Sequence, residues 1–212
     1  MKLFLIKKNK DIVGCFLVIL NIAGAIGLSN EFLSNLFLSL VPYNLILTFL
    51  LCFVYVSFKK YYIPIFLIVL TGFFIEVIGV KTGILFGMYT YGDTLGFKIL
   101  EVPVVIGLNW LVLCLSIFSL FSVIFKNKFF LLIFSSISMV LLDFIIEPVA
   151  IEYSFWSWSD NSVPIQNYIM WFVVSLVMNY ILLKYRINVH YKLGLYLVLS
   201  QLFFFLYLLM SI

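Results

Sequence analysis

Residues 129–150 read FFLLIFSSISMVLLDFIIEPVA, a mostly apolar run with three serines, whose only charged residues are Asp143 and Glu147, followed by Pro148. At about 1.5 Å per residue a helix of this length spans about 33 Å, enough to cross the roughly 30 Å hydrocarbon core of a bilayer. An ionised acid inside that core costs about 2.5–3.5 kcal/mol on insertion scales, so such residues usually face a protein interior and serve a purpose there. The stretch predicts a transmembrane helix with two carboxylates, four residues apart and on one face. Pro148 removes a backbone donor beside Glu147 and predicts a kink or helix end.

The rest of the chain has the same character. It is 65% hydrophobic and 10% charged, with a mean hydropathy of +1.22. Polar surface is too scarce for a soluble domain. Further apolar segments fall at 12–28, 36–58, 62–80, 102–125, 165–183 and 193–211. The expected fold is all-α, a polytopic membrane helix bundle of about seven transmembrane helices in one integral membrane domain, residues 1–212. The basic start at residues 1–10 resembles a signal peptide without a convincing small-residue cleavage site, so a retained first helix is expected. Cys15, Cys52 and Cys114 sit in apolar runs without metal spacing and read as buried small hydrophobes.

Basic residues set the expected orientation. Lys2, Lys7, Lys8, Lys10, Lys59, Lys60, Lys126, Lys128, Lys184, Arg186 and Lys192 flank one set of helix ends, whereas only Lys81 and Lys98 flank the other. By the positive-inside rule the N-terminus is cytoplasmic and the C-terminus outside, in a multi-pass protein of the cell membrane. Cations gathered at helix ends do not form a nucleic-acid stripe, and no nucleic-acid partner is expected despite the net charge of +4.

Glu76 is a third intramembrane acid. It lies about 24 Å along the third span and Asp143 about 22 Å along the fifth, so Glu76, Asp143 and Glu147 can meet in one layer of the outer half. Both outer connections beside them are unusual. Residues 81–100 (KTGILFGMYTYGDTLGFKIL) are too apolar for a solvated loop and too rich in glycine for a helix; residues 151–164 (IEYSFWSWSDNSVP) carry Trp156 and Trp158. Irregular backbone at membrane depth is tolerated only where protein or a cavity covers it. Tyr89, Tyr91, Trp110, Tyr153, Trp156 and Trp158 surround the acids and can line a slot or stabilise a cation, at about 0.5–2 kcal/mol per desolvated ring. Asn109 reaches the same layer. Gly79, Gly83 and Gly87 repeat every four residues as a close-packing stripe would.

Three readings fit these residues taken alone. Crowded carboxylates in an apolar site cannot all be ionised, which leaves a protonated acid beside a base. Alternatively the acids bond neighbouring helices or Lys81, or they relay protons in a transporter. No phosphate-binding glycine loop, zinc spacing or Ser-His-Asp arrangement is visible. The last span has no interior lysine for a retinal Schiff base, and His190, in a basic turn, has no assigned role.

The run 76–92 (EVIGVKTGILFGMYTYG), then Leu95-Gly96 and Val102-Pro103, then 142–150 (LDFIIEPVA) with Tyr153, Trp156 and Trp158, resembles the integral-membrane carotenoid hydratase family over residues 72–171. The resemblance implies hydration of the terminal 1,2 double bond of an acyclic (ψ) carotenoid end group, without metal or redox cofactor. It implies a lycopene- or γ-carotene-type substrate drawn from the lipid phase, water as co-substrate, and other carotenoid-pathway enzymes as partners. Asp143 or Glu76 is the expected general acid and Glu147 the base or water anchor. Tyr89, Tyr91, Asn109, Trp110, Tyr153, Trp156 and Trp158 are the expected substrate-binding residues. An acid-initiated cyclase, in which a neighbouring double bond quenches the same cation, is the enzymatic rival. A proton-coupled transporter or lipid carrier is the rival from another class.

Overall fold

The computed structural model describes residues 9–56 and 58–212; Lys2, Lys7 and Lys8 lie outside them. The helices are α1 (Lys10–Ser29), α2 (Ser34–Val54), α3 (Phe58–Thr82), α4 (Val105–Ile124), α5 (Lys128–Glu152), α6 (Ile165–Tyr185) and α7 (Tyr191–Leu209). All seven have the length and apolar character to cross a membrane. The chain is an all-α, multi-pass bundle, as its hydropathy predicts.

One helix is the hub. α4 packs against α2, α3, α5, α6 and α7, and its buried positions run almost unbroken from Val105 to Ser119. A helix apolar all round sits either in lipid or in a protein core, and α4 takes the core, surrounded by five other helices. Glycines allow two of these approaches: a Cβ on Gly107 would lie 2.5 Å from the Val69 carbonyl of α3, and one on Gly194 would lie 2.6 Å from the Ser116 carbonyl, where α7 meets α4. Small residues at such crossings let backbones approach closely where lipid supplies no hydrophobic drive. At the edge, α2 buries only Thr48 and Cys52.

Several local expectations need correction. Val102 and Pro103 are not the first turn of the fourth span; they form a short strand, because α4 begins only at Val105. α5 does not end at Pro148 but continues to Glu152, with the proline on an exposed face. Gly83 and Gly87 are not part of a helical stripe. They have φ of +65° and +109°: Gly83 follows the last residue of α3 and donates to the Gly79 carbonyl at 2.8 Å, a left-handed stop that costs glycine little. Cys15 is exposed, whereas Cys52 and Cys114 are buried.

The two unusual connections meet at the end of the bundle where α3 and α5 finish. β1 (Tyr89–Tyr91) pairs antiparallel with β4 (Trp156–Trp158), in the register Tyr89 to Trp158 and Tyr91 to Trp156. β2 (Lys98–Ile99) pairs with β3 (Val102–Pro103) around Leu100 and Glu101, both at positive φ. Lys98 clamps this hairpin to β1, donating to the Tyr91 carbonyl at 2.8 Å and pairing with Asp93 at 2.7 Å. That bond holds the Asp93 carboxyl below the usual carboxylate range. Gly107→Val should cost about 1–3 kcal/mol through overpacking between α3 and α4. A lower thermal midpoint in detergent is expected; an unchanged midpoint would contradict the close approach.

Candidate active site

Alternate residues of a strand face the same way, so Tyr89 and Tyr91 form one pair of aromatic groups and Trp156 and Trp158 another. Cross-strand pairing brings Tyr89 against Trp158, with ring centroids 5.1 Å apart, and Tyr91 against Trp156 at 6.0 Å. Each strand serves one carboxylate. From β1, the Tyr89 and Tyr91 hydroxyls donate to Glu76 Oε2 at 2.5 and 2.8 Å. From β4, the Trp156 and Trp158 indole N–H groups donate to Glu147 Oε2 at 2.9 and 2.8 Å. The other oxygens are covered from helices: Trp110 Nε1 of α4 donates to Glu76 Oε1 at 2.9 Å, and Asn167 Nδ2 of α6 lies 3.2 Å from Glu147 Oε1.

The carboxylates are therefore buried yet satisfied, Glu76 at 5% and Glu147 at 2% exposure. Asp143 differs. It is fully buried, takes one bond from Asn167 Nδ2 at 2.7 Å, and its Oδ1 has no hydrogen-bond partner. Asn167 thus bridges two acids that stand one turn apart on α5. Among the described residues, no three acidic, histidine or cysteine side chains are arranged to hold one metal ion.

A cavity of about 210 Å³ opens beneath the ribbon. Of the residues expected at the site, Glu76, Glu147, Tyr89, Tyr91, Asn109, Trp110, Trp156 and Trp158 line it. Asp143 does not; it stands behind Asn167. Tyr153 is turned to another task, its hydroxyl donating to the Leu28 carbonyl of α1 at 3.4 Å. Lys81 pairs with the exposed Glu101 at 2.5 Å and not with a buried acid. His190 caps α7, its Nδ1 accepting from the Lys192 amide at 3.3 Å.

Asn167 and Trp171 were not singled out from the sequence. Both line the cavity, and Trp171 stacks on Trp110 with ring centroids 4.2 Å apart. One signal for Asn167 was present: the amide pair Gln166-Asn167 just inside an apolar span is uncommon enough to imply a polar partner.

Residues 35–212 match the family model described as carotenoid biosynthesis protein. The chain belongs to that family. No curated protein and no solved structure matches it. The matched region of this carotenoid biosynthesis family member contains α2 to α7 and the whole ribbon, and so both cavity-lining carboxylates.

Phenylalanine at Trp156 or Trp158 keeps a ring face but loses an N–H from a buried carboxylate. Hydrogen bonds to charged groups contribute about 1.5–3 kcal/mol. Trp158→Phe is expected to destabilise by that amount, and by clearly less in a Glu147→Gln background. Thermal unfolding of the four proteins of this double-mutant cycle measures the coupling; strict additivity would show that the bond contributes nothing.

Proposed function

We propose that this chain is a carotenoid hydratase, adding water across the terminal 1,2 double bond of an acyclic (ψ) carotenoid end group. The observation that carries the proposal is the pairing of Glu76 and Glu147 on one cavity beneath four aromatic rings, from separate helices, in a family of carotenoid biosynthesis. Hydration requires a proton on C-2, a tertiary cation at C-1, and a water that attacks C-1 and releases a proton. The alkene's π electrons form the new C–H bond, and the net change is one added water.

Donor chemistry separates the two glutamates. Glu147 is bonded only by indole and amide N–H groups, which cannot accept in return. It is therefore held as an ionised acceptor, suited to take the proton from water. Glu76 Oε2 is bonded by two phenol hydroxyls, which can rotate and accept. Glu76 can thus carry a proton and deliver it, which makes it the general acid. Asp143 acts through Asn167 as a positioning group for Glu147. The faces of Tyr89, Tyr91, Trp156 and Trp158 stabilise the cation and shield it.

The polyene enters sideways from lipid, past the lightly buried α2, with its end group beneath the ribbon. The skew of basic residues supports a cell-membrane protein with a cytoplasmic N-terminus and the ribbon outside. The test is purified protein in lipid with a lycopene- or γ-carotene-type polyene in heavy-oxygen water, followed by mass spectrometry. Label in a new tertiary hydroxyl is the expected result. An unlabelled isomer would indicate cyclisation, and unchanged polyene moved between vesicles would indicate a carrier. Glu76→Gln and Glu147→Gln should each lower turnover by about 10²–10⁴-fold, the usual range for a general acid or base. Asp143→Asn, which leaves both cavity carboxylates in place, should lower it less.

A further inference from the structure

The cavity has a second polar wall that the acid–base pair leaves unused. Asn21 of α1, Asn44 of α2 and Gln201 of α7 line it. They stand on α1 and the two helices packed against it, whereas α3 with Glu76 packs against α4 and α6. By helical rise these amides lie about 12–15 Å in from the ribbon end, against about 8–9 Å for Glu76 and Glu147. Asn21 Nδ2 donates to the Leu17 carbonyl at 2.9 Å and lies 3.4 Å from Ser200 Oγ. The Asn44 and Gln201 side chains bond no other described residue, and neither does Asn109 on the central helix α4. A partnerless amide within a membrane span is costly, and such residues generally answer to something in the cavity.

The chemistry of the lining narrows what that is. Among the described residues no lysine, arginine or histidine lines the cavity, so an anion would find no counter-charge there. A cation would be drawn to the two carboxylates instead. A small neutral group that donates and accepts is left, and amides from three helices supply the two to four partners that a buried water needs. The acid wall cannot hold much water itself. Glu76 and Glu147 each already accept three protein hydrogen bonds, out of about four lone-pair sites per carboxylate.

We propose that Asn21, Asn44 and Gln201 form a water-holding wall that keeps the nucleophile beside the carbocation; this rests on the hydratase reading above. Protonation at C-2 breaks the π bond and leaves the cation at C-1. Water from the amide wall then forms the C–O bond and passes its spare proton to Glu147. Without that water, the cation loses a proton from a neighbouring carbon to Glu76 or Glu147 and returns to a hydrocarbon alkene. The amides are positioning residues, so they govern the fate of the cation and not its formation.

Turnover in heavy water (D₂O) separates the two events, because deuterium uptake counts cations formed and hydroxyl counts cations captured. The full-length protein in lipid is given an acyclic polyene, and hydroxylated product is compared with deuterated hydrocarbon. Asn44→Leu and Gln201→Leu should each lower that ratio about three- to tenfold, the weight of a typical hydrogen bond. Asn44→Thr, which restores a donor and acceptor, should recover part of it. An unchanged ratio in the leucine variants, with rate or polyene affinity alone reduced, overturns the proposal and assigns the amides to substrate or to packing. A wild-type protein that takes up deuterium without forming hydroxyl defeats the hydratase reading, and the water wall with it. Hydroxyl formed at an equal ratio by all variants defeats the wall alone.

Discussion

A carboxylate held within a membrane needs hydrogen-bond donors, and the way this chain supplies them shapes most of its unusual architecture. Glu76 and Glu147 each receive three donors, and two of the three come from a strand. A strand suits the task because residues two apart project from one side and converge on one oxygen. That explains why non-helical backbone persists beside an otherwise helical bundle: its side chains satisfy charges that lipid would not tolerate. Pairing β1 with β4 also fixes the two carboxylates relative to each other, since Tyr89 and Trp158, bonded to different acids, face one another across the ribbon.

The helical frame was legible because hydrocarbon is an exacting solvent. All seven apolar runs match helices to within four residues at their starts, since length and hydropathy alone define a span. The fourth was placed three residues too early, because Val102 and Pro103 continue the apolar pattern but pair with Lys98 and Ile99. Depth along the helices put Glu76 level with Asp143 and all three acids in one layer, whereas the cavity takes only Glu76 and Glu147. Depth could not say which way Asp143 turns, because a separation of four residues gives a common face but not a common neighbour. The missing neighbour was Asn167, on a helix 20 residues further along the chain than Glu147.

Tyr-x-Tyr and Trp-x-Trp spacing carried a strand signal that their glycine-rich and polar surroundings obscured. Ring faces were the feature expected of these residues; their hydroxyl and N–H groups, which hold the acids, are legible only once partners are known. Asn21, Asn44 and Gln201 were missed for a related reason. A single amide in an apolar run resembles ordinary interhelical bonding until the cavity it borders is seen.

Sequence separation within the donor network has a consequence for biogenesis. The hydroxyls on Glu76 come from residues 13 and 15 positions downstream, and the indoles on Glu147 from 9 and 11 positions downstream. Each acid therefore emerges from the ribosome shortly before its own cap, and neither must wait for the other half of the chain before leaving the translocon with a partner in reach. The third donors come later, Trp110 34 positions after Glu76 and Asn167 20 after Glu147, and the union of β1 with β4 bridges a longer separation still. Each acid thus finds most of its donors within its own half of the chain, and the aromatic edges of β1 and β4 join the two halves.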